Sequence, residues 1–358
     1  MHKKLYIPGP VEVGLDVMEA MSAPMVGHRM KEYAEVHRRV TDGLKKLLGT
    51  ESPVFLSTSS AFGVMEGAVR NLVQKRCANF ANGAFSGKWH DVTRRCGLEA
   101  DRFDAEWGQP VTAEMVDKAL ATGKYDAMTV VHNETSTGVL SPLEEIAAVM
   151  KKYPEVSFIV DTVSSMSAVP IDVAALGTDV CLAGVQKAFG LPPGLAIFAV
   201  SQKALAKART TPNRGYYFDF EEFEKNDLKD NTPSTPCISL IFALAHQLEK
   251  IFAEGLENRY ARHRQMAEAT RDWVQAQGFG LFAAEGYRSL TLTAAENDGR
   301  TDLEALKKLA GERGYAIDNG YGKIKNRTFR IAHMADFTLA DLTELFALLE
   351  ELLPKVRE

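Results

Sequence analysis

Residues 183–194 read AGVQKAFGLPPG. One lysine, Lys187, stands between a short apolar run and a turn of glycine and proline, and the stretch contains no acid. An ammonium removed from water is costly unless it is paired or neutral, so a lysine in such a setting asks for a chemical reason. The surroundings of the stretch decide the fold. VCLAG (180–184) before it and LAIFAV (195–200) after it are compact apolar runs of strand length, and AMTVV (127–131) and VSFIV (156–160) are two more. Helical patterns lie between such runs. In SAFGVMEGAVRNLV (60–73), Met65, Ala68, Val69 and Leu72 recur at helical spacing. Ser141-Pro142-Leu143-Glu144 reads as a helix start, with a cap residue, proline in the first turn and an acid behind it. Strands interleaved with helices predict an α/β domain built on a mostly parallel sheet.

Beyond about residue 240 the texture changes. Residues 238–276 read as long helix broken near Gly255, SLTLTA (289–294) and TFRIAH (328–333) as strands, and 301–314 as a helix opened by a Thr301–Glu304 capping box. TLADLTELFALLEELL (338–353) places Leu339, Leu342, Leu345, Phe346 and Leu349 on one helix face. These elements predict a large domain over 15–240 and a smaller α+β domain over 241–358 that also takes in 1–14. The acidic, aromatic segment 215–231 reads as an excursion able to reach a partner subunit.

The 358 residues carry 42 basic and 47 acidic side chains, a net charge of −5, which lacks the basic excess of a nucleic-acid or anionic-membrane surface. Four scattered cysteines without a CxxC pair point away from a disulfide framework or a zinc ribbon. The histidines show no ligand spacing, so no metal is expected. The opening MHKKLYIPGP lacks the apolar core of a signal peptide, and no apolar run approaches membrane-spanning length. A cytoplasmic location is the expectation.

Three polar features fall where the strand pattern stops. FIV runs into Asp161, VCLAGVQ runs into Lys187, and TVV runs into His132 and the small hydroxyl residues Thr135, Ser136 and Thr137. Ligands of open α/β sheets gather outside the carboxyl ends of strands, so a carboxylate, a lysine and a hydroxyl cluster delivered there form a candidate site. Taken singly each has a plainer reading: Asp161 as a helix cap, Lys187 as a solvated lysine, STSS (57–60) as capping. No GxSxG elbow, Walker loop or GxGxxG fingerprint is present.

IPGPVEV (7–13), PMVGHR (24–29), HNETSTGVLSPLEEI (132–146), VDTVSSMSAVPIDV (160–173), AGVQKAFGLPPG, NTPSTPCISL (231–240) and FRIAHM (329–334) together resemble the class V aminotransferases. These belong to pyridoxal-phosphate fold type I, and the alanine–glyoxylate and serine–pyruvate branch is the most similar. The resemblance covers nearly the whole chain and implies pyridoxal 5'-phosphate as cofactor. It implies Lys187 as the lysine that joins the cofactor aldehyde and then moves a proton as base and acid. Asp161 is implied as partner of the pyridine nitrogen, Val163 and Phe85 as the two ring faces, and Ser136 or Thr135 as neighbours of the ring hydroxyl. Ser60, Ala61 and Gln186 match the phosphate cup, which Thr232 or Thr235 of a neighbouring subunit would complete across a homodimer. Arg330 matches the substrate-carboxylate arginine, with Gly9 near the same end of the substrate.

The function implied is a ping-pong transaminase taking nitrogen from alanine or serine to glyoxylate or pyruvate. An alternative keeps the cofactor but uses phosphoserine and 2-oxoglutarate, with the GHR of 27–29 and His333 as cations for a second anion. A cysteine-desulfurase-type lyase would need a mobile cysteine over the cofactor. A non-enzymatic subunit of this fold would have no need of Lys187, Asp161 and Arg330.

Overall fold

The computed structural model describes residues 2–357. Its frame is a seven-stranded sheet of β1 (Val54–Ser57), β2 (Cys77–Ala81), β3 (Ala100–Asp104), β4 (Ala127–Val131), β5 (Ser157–Asp161), β6 (Val180–Gly184) and β7 (Ala196–Val200). Their spatial order is β1-β7-β6-β5-β4-β2-β3. All neighbours run parallel except β7, which is antiparallel to both β1 and β6. Every residue of β4, β5, β6 and β7 is buried, which explains their continuous apolar runs. Alternate residues enter two cores: Met128, Phe158 and Ile197 pack on one face, Ala127, Ile159 and Phe198 on the other. Of the two edge strands, β1 is covered, whereas β3, with the sequence ADRFD, alternates in exposure and carries charge, as suits an open edge.

Helix α1 (Ala61–Leu72) buries Met65, Ala68, Val69 and Leu72 as the spacing predicts. It is followed by α2 (Ala84–Arg95), α3 (Phe220–Asp227), α4 (Ile238–Glu254) and α5 (Leu256–Ala276), the last two divided at Gly255. A three-stranded antiparallel sheet of β8 (Gly280–Leu281), β9 (Leu292–Glu296) and β10 (Thr328–Ala332) packs over its own core with α6 (Leu339–Leu352). Tyr6 of the N-terminal segment is buried in that core, and its carbonyl accepts from Ala332 N at 2.9 Å.

Several local expectations need correction. The cap at 301–304 is Asp302, whose carboxylate accepts from Ala305 N at 3.0 Å; Thr301 instead bridges to Arg357. Ser141 accepts from Val111 N rather than capping the helix that starts at Leu143. β9 begins at Leu292 because the Ser289 hydroxyl accepts from Thr291 N and Leu292 N, turning the chain there. Segment 215–231 is an excursion anchored on its own chain. Phe220 and Phe223 enter the sheet core, and Tyr217 donates to the Thr58 carbonyl at 3.1 Å, while the Tyr216 side chain stays exposed.

Arg259 of α5 is fully buried and fixes the loops beside the sheet edge. Its guanidinium donates to the carbonyls of Ser167 (2.9 Å) and Ala188 (2.7 Å) and pairs with Glu254 at 3.2 Å. Arg259→Met would leave both carbonyls without their donor. A loss of about 3 kcal/mol is expected, read as a lower denaturant midpoint.

Candidate functional site

Five strands end at one edge of the sheet and open a cleft whose mouth reaches solvent. β1 leads through Ser57–Ser60 into α1, and β2 leads through Gly83 to Phe85 in the first turn of α2. β4 continues into the hairpin strand Asn133–Glu134 and its turn at Thr135, β5 ends on Asp161, and β6 is followed two and three residues on by Gln186 and Lys187. Ala61, Phe85, Thr135, Asp161, Val163, Gln186 and Lys187 all line the cleft.

Lys187 is 8% exposed, and its ammonium donates to the Pro8 carbonyl. Burial, and then the positive charge of Arg330, push its pKa down to about 8, while Asp161, Glu134 and Asp318 pull the other way. Gly9 lies against it: a Cβ there would stand 2.7 Å from Lys187 Cδ and Cε, and Gly9 holds φ +121°. The N-terminal segment therefore supports the lysine side chain directly. Asp161 accepts from the Trp89 indole at 3.1 Å and from Val163 N at 2.9 Å. Burial still pushes its carboxyl up to about 6, against the lowering effect of those two donors. The plainer reading of Asp161 as a helix cap does not hold, because residues 163–167 are turn.

The two hydroxyls left open at 135 and 136 separate cleanly. Asn133–Glu134 pairs with Val139–Leu140 as a short hairpin, so side chains alternate in direction. Asn133 and Thr135 face the cleft. Ser136 is turned away, donating to Glu134 at 2.6 Å and accepting from Ala84 N at 2.9 Å. Glu134, fully buried, takes five hydrogen bonds, from Phe85 N, from Ser86 N and Oγ, and from Ser136 N and Oγ. It thereby ties the first turn of α2 to the 133–136 turn. A Cβ on Gly83 would sit 2.3 Å from Glu134 Cγ, so only glycine fits there.

Ser60 precedes α1 with extended backbone and makes no side-chain cap bond, which leaves first-turn N–H groups available to an anion. Thr232 is buried and spends its hydroxyl on the Ser234 carbonyl at 2.6 Å, whereas Thr235 is exposed. Arg330 on β10 is 4% exposed and donates to Thr135 O at 2.9 Å and to Asp318 Oδ1 at 2.7 Å. His333 cannot act as a cation for a second anion. It is fully buried, bonded to Thr293 Oγ1 at 3.0 Å, and pushed down to about 3 by burial and by Arg271. No cysteine lines the cleft: Cys77 and Cys181 lie inside strands, and Cys96 and Cys237 lie at helix ends.

Sequence reasoning missed Trp89, Asn133, Glu134 and Phe62. The alternation through HNETS could have paired Asn133 with Thr135 and Glu134 with Ser136. Nothing local marks Trp89, which reaches Asp161 from the far side of α2.

A family model described as Aminotransferase class-V matches residues 17–321. An uncharacterised aminotransferase of Methanocaldococcus jannaschii is 37% identical over 93% of this chain and 88% of its own length. A serine–glyoxylate aminotransferase of Methylorubrum extorquens is 35% identical, covering 93% of this chain and 86% of the relative. The solved structure of an alanine–glyoxylate aminotransferase from Nostoc sp. superposes with a TM-score of 0.93 at 26% identity, over 99% of this chain and 96% of that one.

Because the Lys187 pKa lies near 8 rather than 10.5, borohydride trapping of an aldehyde at this lysine is expected to rise with pH through about 8. A midpoint near the ordinary lysine value would show that the side chain is solvated. Gly9→Ala should slow the trapping by displacing the ammonium, with little change in overall fold by circular dichroism.

Proposed function

The chain belongs to the class-V aminotransferases, which are pyridoxal-phosphate-dependent enzymes, and from that membership we propose the substrates and the residue roles. The donor is a small amino acid, alanine or serine, and the acceptor a small oxo acid, glyoxylate or pyruvate. The observation that carries the reading is Lys187, buried and lowered toward neutrality, in one cleft with Asp161 at the carboxyl edge of the sheet. The names of the relatives that use glyoxylate support the acceptor.

The residues present fit the cofactor. The first turn of α1, with Gln186 beside it, suits a phosphate. Phe85 and Val163 line the cleft as a pair of faces for a flat ring. Both amide atoms of Asn133 are buried without a partner in the same cleft, so a polar group on the ligand is needed to satisfy them. When bound, pyridoxal phosphate supplies an aldehyde for the amino group and an electron sink for the bond broken at the α-carbon.

With the cofactor bound, Lys187 would hold its aldehyde; displaced from it by the incoming amino group, the freed amine would take the proton from the substrate α-carbon and return it one step later. A pKa near the working pH lets one amine perform both transfers. Asp161, oriented by Trp89 and Val163 N, holds a cationic ring nitrogen. This pairing also resolves its own burial, because a carboxylate raised by desolvation regains its charge beside a cation. Arg330 receives the substrate carboxylate. Net, the donor leaves as an oxo acid and the acceptor leaves as an amino acid, in two half-reactions through one site.

We assign the active assembly as a homodimer, in which the exposed Thr235 completes the phosphate cup of the other copy. Exposed Leu15, Met25 and Tyr216 support a covered surface.

Purified protein should be yellow and should bleach on addition of alanine or serine but not phosphoserine. Bleaching by phosphoserine alone would move the substrate reading to the alternative. Lys187→Ala should lose borohydride labelling and lower kcat by about 10³-fold or more while still binding cofactor weakly. Retained turnover would remove Lys187 from the reaction.

A further inference from the structure

The loop between Ala316 and Thr328 grips Arg330 and reaches the wall of the cleft through Tyr321, stacked on the lining residue Phe85. Asp318 Oδ1 accepts from Arg330 Nε at 2.7 Å and from Gly320 N at 2.8 Å, and the backbone N of Arg330 donates to the Asp318 carbonyl at 2.9 Å. Three residues on, the Tyr321 ring stands 5.7 Å from the guanidinium carbon and stacks on Phe85, with centroids 5.0 Å apart and planes 19° from parallel. From the opposite side Arg330 Nη1 donates to the Thr135 carbonyl at 2.9 Å.

A guanidinium carries five N–H donors in a rigid fork. Here Asp318 takes the Nε donor and Thr135 takes one on Nη1, so no acceptor among the described residues holds Nη2. The edge formed by Nη1 and Nη2 is what remains for a ligand. An arginine this deeply buried would also be costly without a nearby negative charge, and Asp318 supplies it with the one oxygen that grips Nε. The oxygen partnering Nε therefore selects which edge of the fork is presented, and the charge keeps the empty site stable between turnovers.

We propose that Asp318 is a positioning residue for the substrate carboxylate: it locks Arg330 so that the Nη1–Nη2 edge alone faces the cleft. The proposal rests on the reading of Arg330 as the carboxylate partner. The same loop joins that arginine to the aromatic wall of the cleft, because Tyr321 touches both Arg330 and Phe85. Asp318 acts through Arg330 and makes no contact with the reacting atoms.

The test uses the holoenzyme with Asp318→Ala, Asp318→Asn and Arg330→Gln variants, with KM measured separately for the amino donor and the oxo acid. Asp318→Ala should raise both KM values by about 10-fold or more while kcat changes less. Asp318→Asn, which keeps an acceptor oxygen for Nε, should recover much of that loss. A second readout is independent of folding and affinity. The Asp318 charge favours a cation at the Lys187 nitrogen, and removing it should disfavour the cationic form there in the holoenzyme too, so both substitutions should move the pH midpoint of the visible band to lower pH. Circular dichroism identifies a misfolded Asp318→Ala protein, in which case Asp318→Asn and the band midpoint decide. Unchanged KM values and an unmoved midpoint, with Arg330→Gln still raising KM, would overturn the role of Asp318 alone. Unchanged KM values in Arg330→Gln would overturn the carboxylate reading beneath it.

Discussion

The Lys187 ammonium is held by the carbonyl oxygen of Pro8, a neutral acceptor, and the side chain is buried at the wall of the cleft. A carboxylate at that place would fix the charge and hold the lysine protonated; a carbonyl satisfies one N–H without doing so. The negative groups that stabilise the ammonium, Asp161, Glu134 and Asp318, act on it through space, and Arg330 opposes them. The result is an amine near neutrality, whose protonation state a small change in its surroundings can reverse. The rest of the cleft is arranged around that balance. Asp161 has its own donors in Trp89 and Val163 N, and Glu134 is saturated by five. Each acid is thus held in place by groups other than the lysine.

Holding the amine requires holding its backbone. Gly190 N donates to the Lys187 carbonyl at 2.8 Å, Leu191 N to Val185 O at 3.1 Å, and Val185 N to Leu195 O at 3.2 Å. The glycines give the reversals at φ +71° (Gly190) and +133° (Gly194) that other residues resist, and Pro192 and Pro193 stiffen the span between them. This tight return also explains why β7 runs antiparallel to β6. The turn is too short for a helical crossover, so the strand after it must come back alongside. Arg259 then fastens the Ala188 carbonyl from the side of α5.

Much of this was legible in the chain because strand ends announce themselves. An apolar run that stops on Asp161, and another that stops just before Lys187, mark the carboxyl edge of a parallel sheet without any knowledge of the packing. What could not be read is whatever depends on direction or on distant partners. Thr135 and Ser136 are adjacent and chemically alike, and only the hairpin pairing of 133–134 with 139–140 decides which one faces the cleft. Thr301 looks like a cap until Arg357, 56 residues away, claims its hydroxyl. His333 beside an arginine strand looks like a cation until burial makes it neutral. Trp89 is 72 residues from the carboxylate it orients, and no periodicity connects them.

The same distinction explains how the two sheets share one site. The central sheet presents Asp161 and Lys187 by strand register, which tolerates little movement because both faces are packed. β10 presents Arg330 across a junction, where Leu292, Ala332 and Met334 pack on Val11, Ala168 and Ala188, Arg330 bonds to Thr135 O, and Ala332 N bonds to Tyr6 O. Pro8 and Gly9 follow directly after Tyr6, so the segment that touches Lys187 is hydrogen-bonded to the strand that carries the arginine. Arg330 and Lys187 are thus connected through one stretch of N-terminal backbone.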